Sequence, residues 1–149
     1  MGPVLTRTAT PADYDAIARV IDLWWGRPVL GSLPRLFLDL FCRTSLIIDR
    51  DNGPDAFLVG ILSPSDATRA YIHFVGVSPA ARGRGYGRLL YEEFFRIARS
   101  DGRSVVSAIT AAANTGSVAF HRALGFSVTG PVEGYNGPGR AMLVFERVL

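Results

Sequence analysis

At 149 residues, 48% apolar and 19% charged, the chain is long enough to bury one real core and reads as globular rather than disordered. Its net charge of +3 comes from arginine alone, because all sixteen basic residues are arginine and none is lysine. The single cysteine, Cys42, excludes an internal disulfide and a CxxC site, and two histidines without a Cys/Asp/Glu cluster give no metal centre. The apolar runs, such as Ala56 to Leu62, fall far short of a bilayer, and no basic-plus-apolar leader opens the chain. A cytoplasmic protein without a membrane partner is expected. Met1 to Thr6 formally fits a myristoylation pattern, but Pro3 beside Gly2 makes chance the better explanation.

In chain order, Thr10-Pro11-Ala12-Asp13 has the form of a helix start, with a Thr cap, Pro at the first position and an acid at the third. Ile17, Val20, Ile21 and Trp24 then share one apolar face. After a loop from Gly26 to Ser32, a second helix is predicted from about Pro34, with Leu36/Leu40 and Phe37/Phe41 spaced for burial. Cys42, among Leu38, Leu40 and Phe41, reads as a small buried hydrophobe rather than a nucleophile. Ser45 to Asp49 reads as a strand, Asp51 to Pro54 as a tight turn, and Ala56 to Leu62 as the returning strand. Ala70 to Val77 forms the next strand. A helix from about Gly85 to Ser100 buries Leu90, Phe94 and Ile97. Ser104 to Ile109 (strand), Thr115 to Leu124 (helix), and two strands, Phe126 to Val132 and Ala141 to Val148, complete an order ααβββαβαββ. With no repeat or linker, residues 1–149 are expected to form a single domain.

The most informative stretch runs from Val77 to Leu90. A strand stops at Pro79, a turn holding Arg82, Gly83, Arg84, Gly85, Tyr86, Gly87 and Arg88 follows, and an amphipathic helix begins. Strand, amide-rich turn and helix N-terminus together make a phosphate cradle, since glycines let the backbone close on an anion that the helix dipole attracts. A P-loop needs a lysine, which this chain lacks. The dinucleotide fingerprint needs G-x-G-x-x-G, but Arg88 and Leu90 stand where its third glycine would fall.

What remains, Arg82-x-x-Gly85-x-Gly87 directly after Val77-x-Pro79, resembles the acyl-CoA pyrophosphate loop of the GNAT superfamily of N-acetyltransferases. Asn114 to Phe126 is similar to that family's later motif, N-x-x-[S/A]-x-x-[F/L]-[Y]-x-x-x-G-F, and lies in the family's order, one helix and one strand after the first. The motif-bearing resemblance covers Tyr71 to Phe126. It implies an α/β (α+β) GNAT fold: a mixed, mostly antiparallel sheet, splayed where acyl-CoA enters and flanked by about four helices. It also implies acetyl-CoA as co-substrate, no metal, and direct attack by a primary amine on the thioester within a ternary complex.

The resemblance carries roles onto particular residues. Backbone groups of Val75 and Val77 would pair with the pantetheine arm, and amides from Arg82 to Gly87 would hold the pyrophosphate, with Arg84 or Arg88 adding charge. Asn114 would reach the CoA arm beside Ser117, although asparagine there is equally a good helix cap. His121 departs from the family's tyrosine, the proton donor to the leaving thiolate; a histidine with a pKa of about 6.5 can also donate, or can sit on the helix with no such role. The strand lacks the carboxylate many relatives use as a base. His73, on the same strand face as Tyr71, Val75 and Val77, is the first candidate base, with Glu133 second, while a purely structural histidine explains His73 nearly as well. The acceptor pocket would draw on Trp24 to Pro28 and Glu133 to Gly139. Core packing or a homodimer interface would use the two tryptophans equally well.

Two other classes stay open: a non-catalytic acyl-CoA-binding or sensing module, and an acyltransferase using a longer acyl-CoA. A nucleic-acid binder rests on arginine density alone, leaves the Asn114 to Phe126 motif unexplained, and is not expected.

Overall fold

The computed structural model describes residues 4–149, so Gly2 of the myristoylation-like pattern lies outside the described residues. The elements are β1 (Arg7–Thr8), α1 (Asp13–Trp25), α2 (Leu36–Phe41), β2 (Leu46–Arg50), β3 (Gly53–Leu62), β4 (Arg69–Val77), α3 (Tyr86–Ser100), β5 (Val105–Ala111), α4 (Thr115–Ala123), β6 (Ser127–Val132) and β7 (Met142–Val148). The seven strands form one mixed sheet in the order β1-β2-β3-β4-β5-β7-β6. This is the α/β class read from the sequence, with β1 added. Two residues are too few for any periodicity to reveal that strand.

The chain forms two compact units. The first takes the chain up to Ile61 and then Ile72–Ile97; the second takes Leu62–Tyr71 and Ala98–Leu149.

In the first unit β2 pairs antiparallel with both β1 and β3. Ile17, Ile21 and Trp24 of α1 bury against Ile47, Phe57 and Val59, with Leu33 and Leu38 completing the cluster. The start of α1 differs from expectation. Thr10 does not cap it; instead the Asp13 carboxylate accepts the Thr10 N–H at 2.7 Å and the Arg7 guanidinium at 2.8 Å. Half of a capping box survives, because the Asp13 N–H goes to the Thr10 carbonyl at 3.1 Å instead of the hydroxyl, and Arg7 carries the link on to Asp49 at 2.6 Å.

α2 is only six residues long, and its buried member is Leu38, while Leu36 and Leu40 face outward. Phe37 and Cys42 pack partly buried against the core, so Cys42 is less enclosed than its apolar neighbours imply. The predicted turn at Asp51 to Pro54 is tighter than expected, since β3 already begins at Gly53. On α3 the buried stripe is wider than the predicted line: Leu90, Tyr91, Phe94, Phe95 and Ala98 are buried and Ile97 only half so. Gly60 is what lets this helix lie close. A Cβ there would stand 2.2 Å from Cε1 of fully buried Phe94.

In the second unit the start of β4 pairs parallel with β5 through Arg69, Ala70 and Tyr71, and β7 pairs antiparallel with both β5 and β6. Val106, Ala108, Leu143 and Phe145 are buried along these strands, with Leu124 and Phe126 from the end of α4. Arg103 ties the loop before β4 to the start of β5, donating from one nitrogen to the carbonyls of Ser63 (2.7 Å), Asp66 (3.0 Å) and Arg69 (3.1 Å).

Gly60→Ala is expected to cost about 1–3 kcal/mol, the usual penalty for overpacking a core. Adding Phe94→Leu should return part of that loss. Urea unfolding of the three proteins checks it, and an unchanged midpoint for Gly60→Ala would refute the close approach.

Candidate functional site

The glycine- and arginine-rich turn belongs to the first unit. β4 ends at Val77, the Ser78 N–H bonds the Asp55 carbonyl at 2.8 Å, and Pro79–Ala81 makes one 3-10 turn. Gly83 (φ 81°) and Gly85 (φ 79°) then take left-handed conformations with open space where a Cβ would be. Side chains rarely adopt that backbone, at roughly 1–2 kcal/mol, so glycine is needed for the path and not for crowding. The path leads into the first turn of α3, which contains no acidic residue. N–H groups of a first helical turn lack acceptors within the helix and attract anions.

The arginines divide their work. The Arg82 side chain donates to the Trp24 carbonyl at 3.1 Å, fastening the turn to the end of α1. Among the described residues Arg84 makes no ion pair, and Arg88 pairs with exposed Glu92 only at 3.5 Å. Buried Tyr86 anchors the helix start, and Gly87 lies within its first turn. The turn therefore offers backbone amides and two solvent-facing guanidinium groups, and an anionic phosphate chain fits that donor set.

Val75 and Val77 lie half-buried on β4, alternating with buried Ile72 and Gly76. Phe74 is less buried than its face implies; it packs against Trp25 and Phe57, with ring centroids 4.9 and 6.1 Å apart. His73 lies flat on Phe37, centroids 4.0 Å apart and planes 4° from parallel, and its Nε2–H donates to the Ser32 carbonyl at 2.7 Å. That bond puts the proton of the neutral ring on Nε2 and the lone pair on Nδ1. Burial lowers the His73 pKa, and the Ser32 bond opposes the shift. Of the two tryptophans, Trp24 is buried in the core against Phe57, while half-buried Trp25 is beside Phe74.

The later motif belongs to the second unit. Asn114 caps α4: its Oδ1 accepts the Ser117 N–H at 3.2 Å, and its Nδ2 donates to Thr110 at 3.2 Å. His121, one helical turn beyond Ser117, is buried. Its Nδ1–H donates to the Ser117 carbonyl at 2.8 Å, with the Ser117 hydroxyl at 3.2 Å. The ring stacks on Phe145 at 4.0 Å and meets the edge of Phe126 at 5.1 Å. Burial lowers its pKa too, against the Ser117 bond. Glu133 is exposed at the end of β6, in a loop that also exposes Tyr135.

The first unit thus gathers His73, Val75, Val77 and the residues Arg82 to Arg88, and the second gathers Asn114, Ser117 and His121. Sequence reading missed Phe37 and the Ser32 carbonyl beside His73, and the Arg82–Trp24 tie. Phe37 is readable as an aromatic at helical spacing, whereas a backbone carbonyl in a loop leaves no trace in the sequence.

A model of the acetyltransferase (GNAT) family matches residues 15–126. No curated protein matches the chain. Among solved structures, the fold is shared with Ard1 from Thermoplasma volcanium at 18% identity and a TM-score of 0.80, covering 97% of each chain. The chain is also similar to the ribosomal-protein-alanine N-acetyltransferase of Brucella melitensis, at 25% identity and a TM-score of 0.74 over 98% of this chain and 100% of that one. N-acetylglutamate synthase from Neisseria gonorrhoeae, complexed with coenzyme A and N-acetyl-glutamate, matches at 25% identity and a TM-score of 0.79; it covers all of this chain but only 36% of its own. With the family model spanning well over half its length and both motifs inside the match, the chain belongs to the GNAT family of acetyltransferases.

Proposed function

We propose that this protein is an acetyl-CoA-dependent N-acetyltransferase that passes the acetyl group directly to a primary amine. The observation that carries the reading is the turn from Arg82 to Arg88. Two left-handed glycines with open space beside them lead into an acid-free helix start flanked by Arg84 and Arg88. Its amides and these arginines would hold the pyrophosphate, and the backbone of Val75 and Val77 the pantetheine arm. Acetyl-CoA supplies the activated thioester. A backbone amide of β4 would stabilise the oxyanion formed when the amine adds.

His73 serves as the base, with Nδ1 as the accepting atom; exposed Glu133 is the weaker candidate. Both ends of the Asn114 carboxamide already have protein partners, so contact with the CoA arm would be added to its cap. For His121 the packing use is favoured over the proton-donor use. Its neutral ring carries the proton on Nδ1, committed to Ser117, and burial disfavours the imidazolium that a donor would need. The thiolate then takes its proton from solvent.

Gly85→Glu is expected to abolish acetyl-CoA binding by calorimetry and CoA release over a broad amine panel, because the substitution adds strain and negative charge at the turn. Binding at wild-type affinity would overturn the assignment. Tight wild-type binding without CoA release over the panel would instead identify an acyl-CoA-binding module.

His121 yields a second prediction, in which His121→Phe keeps the stack on Phe145 and retains turnover within about threefold, while His121→Ala loses stability. The pH dependence has a definite sign. A histidine whose pKa is lowered on folding stays neutral in the native state and protonates in the unfolded chain. Its stability contribution is complete above about pH 6.5 and is lost as pH falls through that value. Tm should therefore drop between pH 7.5 and 5.5, and less steeply in His121→Phe. Loss of turnover in a stable His121→Phe would restore the donor role.

A further inference from the structure

This inference rests on the reading of the chain as an amine acetyltransferase and concerns which amine it accepts. β4, Arg-Ala-Tyr-Ile-His-Phe-Val-Gly-Val from Arg69 to Val77, carries no carboxylate, so its only basic side chain of moderate pKa is His73. Most carboxylates elsewhere in the first unit are committed, exposed Asp39 and Asp51 apart. Asp13 and Asp49 hold Arg7, Asp15 holds Arg35, Asp55 holds Arg50, and Asp22 accepts the N–H groups of Val29 and Leu30. An acceptor bearing a strongly held positive charge finds little here to pair with it.

We infer that His73, its ring fixed by Phe37 and its Nε2 proton by the Ser32 carbonyl, takes a proton at Nδ1 from a weakly basic α-amino group. The acceptor is then the α-amine of a peptide or amino-acid derivative, not an alkylamine such as a lysine side chain. An α-ammonium has a pKa of about 7.7–8.0 and an alkylammonium about 10.4. At pH 7 roughly one α-amine in ten is already neutral, against about one alkylamine in ~2,500. Proton transfer to an imidazole is uphill from both ammonium groups, and steeper from the alkylammonium by roughly 2.4–2.7 units of pKa. In the step itself the ammonium gives one proton to Nδ1, and the freed lone pair forms the N–C bond at the thioester carbonyl. The C–S bond breaks with its electron pair on sulfur. The remaining excess proton reaches that thiolate through solvent, and the His73 proton returns to solvent.

Phe37 is a positioning residue: it acts through the ring it lies on. The groups packed on His73 from α2 and the preceding loop, Phe37 and the Ser32 carbonyl, do not titrate. Charged residues on α2 or flanking it are Asp39 and Arg35, the latter bonded to Asp15. Tyr71, the titratable neighbour along β4, is kept neutral by burial that raises its pKa.

The test compares kcat/KM for a short lysine-free peptide with a free Ala N-terminus and for Nα-acetyl-lysine amide, from pH 6 to 10. The α-amine should be favoured by about 100-fold at pH 7, with the gap narrowing as pH rises. His73→Gln should lower kcat by roughly 100-fold, as loss of a general base does, and flatten the acid limb while leaving acetyl-CoA affinity intact. Phe37→Leu should lower kcat in the same sense, and Phe37→Tyr, which keeps the stacking face, should restore it. Equal or faster turnover of the lysine ε-amine at pH 7 overturns the inference, as does a wild-type pH profile in His73→Gln. Acetyl-CoA bound but never consumed with either amine removes the acetyltransferase reading, and the inference with it.

Discussion

The packing of Phe94 over Gly60 sets the height of α3 above β3, and the glycine- and arginine-rich turn inherits its position from that helix. A methyl group at residue 60 would occupy the volume of the ring. Leu90, one turn earlier and fully buried, carries the same seat toward the N-terminus of the helix. At the other flank, Arg82 is bonded to the Trp24 carbonyl, so the loop is held on both sides while its glycines stay open to solvent. Rigid supports around an exposed backbone are what a phosphate site needs, because amides that must be ordered on binding lose affinity to that ordering.

The two histidines are built alike and are suited to different work. Each lies flat on a phenylalanine at 4.0 Å, and each donates one ring N–H to a backbone carbonyl. The nitrogens are opposite, however. His73 donates through Nε2 to a loop, whereas His121 donates through Nδ1 to the preceding turn of its own helix. In a helix this local bond needs no partner from elsewhere, and it locks His121 into the packing of α4. On the strand, the outside partner selects the tautomer that leaves the basic lone pair on Nδ1.

The element order, the family and the turn were legible because each leaves a local mark: proline after a strand, glycines where φ is positive, an asparagine before a helix. The buried members of α2 were not. At six residues that helix is too short for spacing to say which face is inward, and Leu38 rather than Leu36 or Leu40 turned out to be enclosed. The threonine at the start of α1 misled because its carbonyl, not its hydroxyl, takes the Asp13 N–H, and the hydroxyl turns to the Asp13 carboxylate at 3.3 Å. What His73 touches depends on a backbone atom 41 residues away, which no pattern of side chains encodes.

Arg84 and Arg88 stand beside the glycine-rich turn, in a chain without a single lysine. A guanidinium stays protonated at any pH at which the protein is folded, and it is a poor nucleophile. The turn is therefore flanked by cationic groups that offer no amine. A guanidinium reacts with acyl donors far less readily than an amine does, so these side chains keep their cationic form beside an activated acyl group.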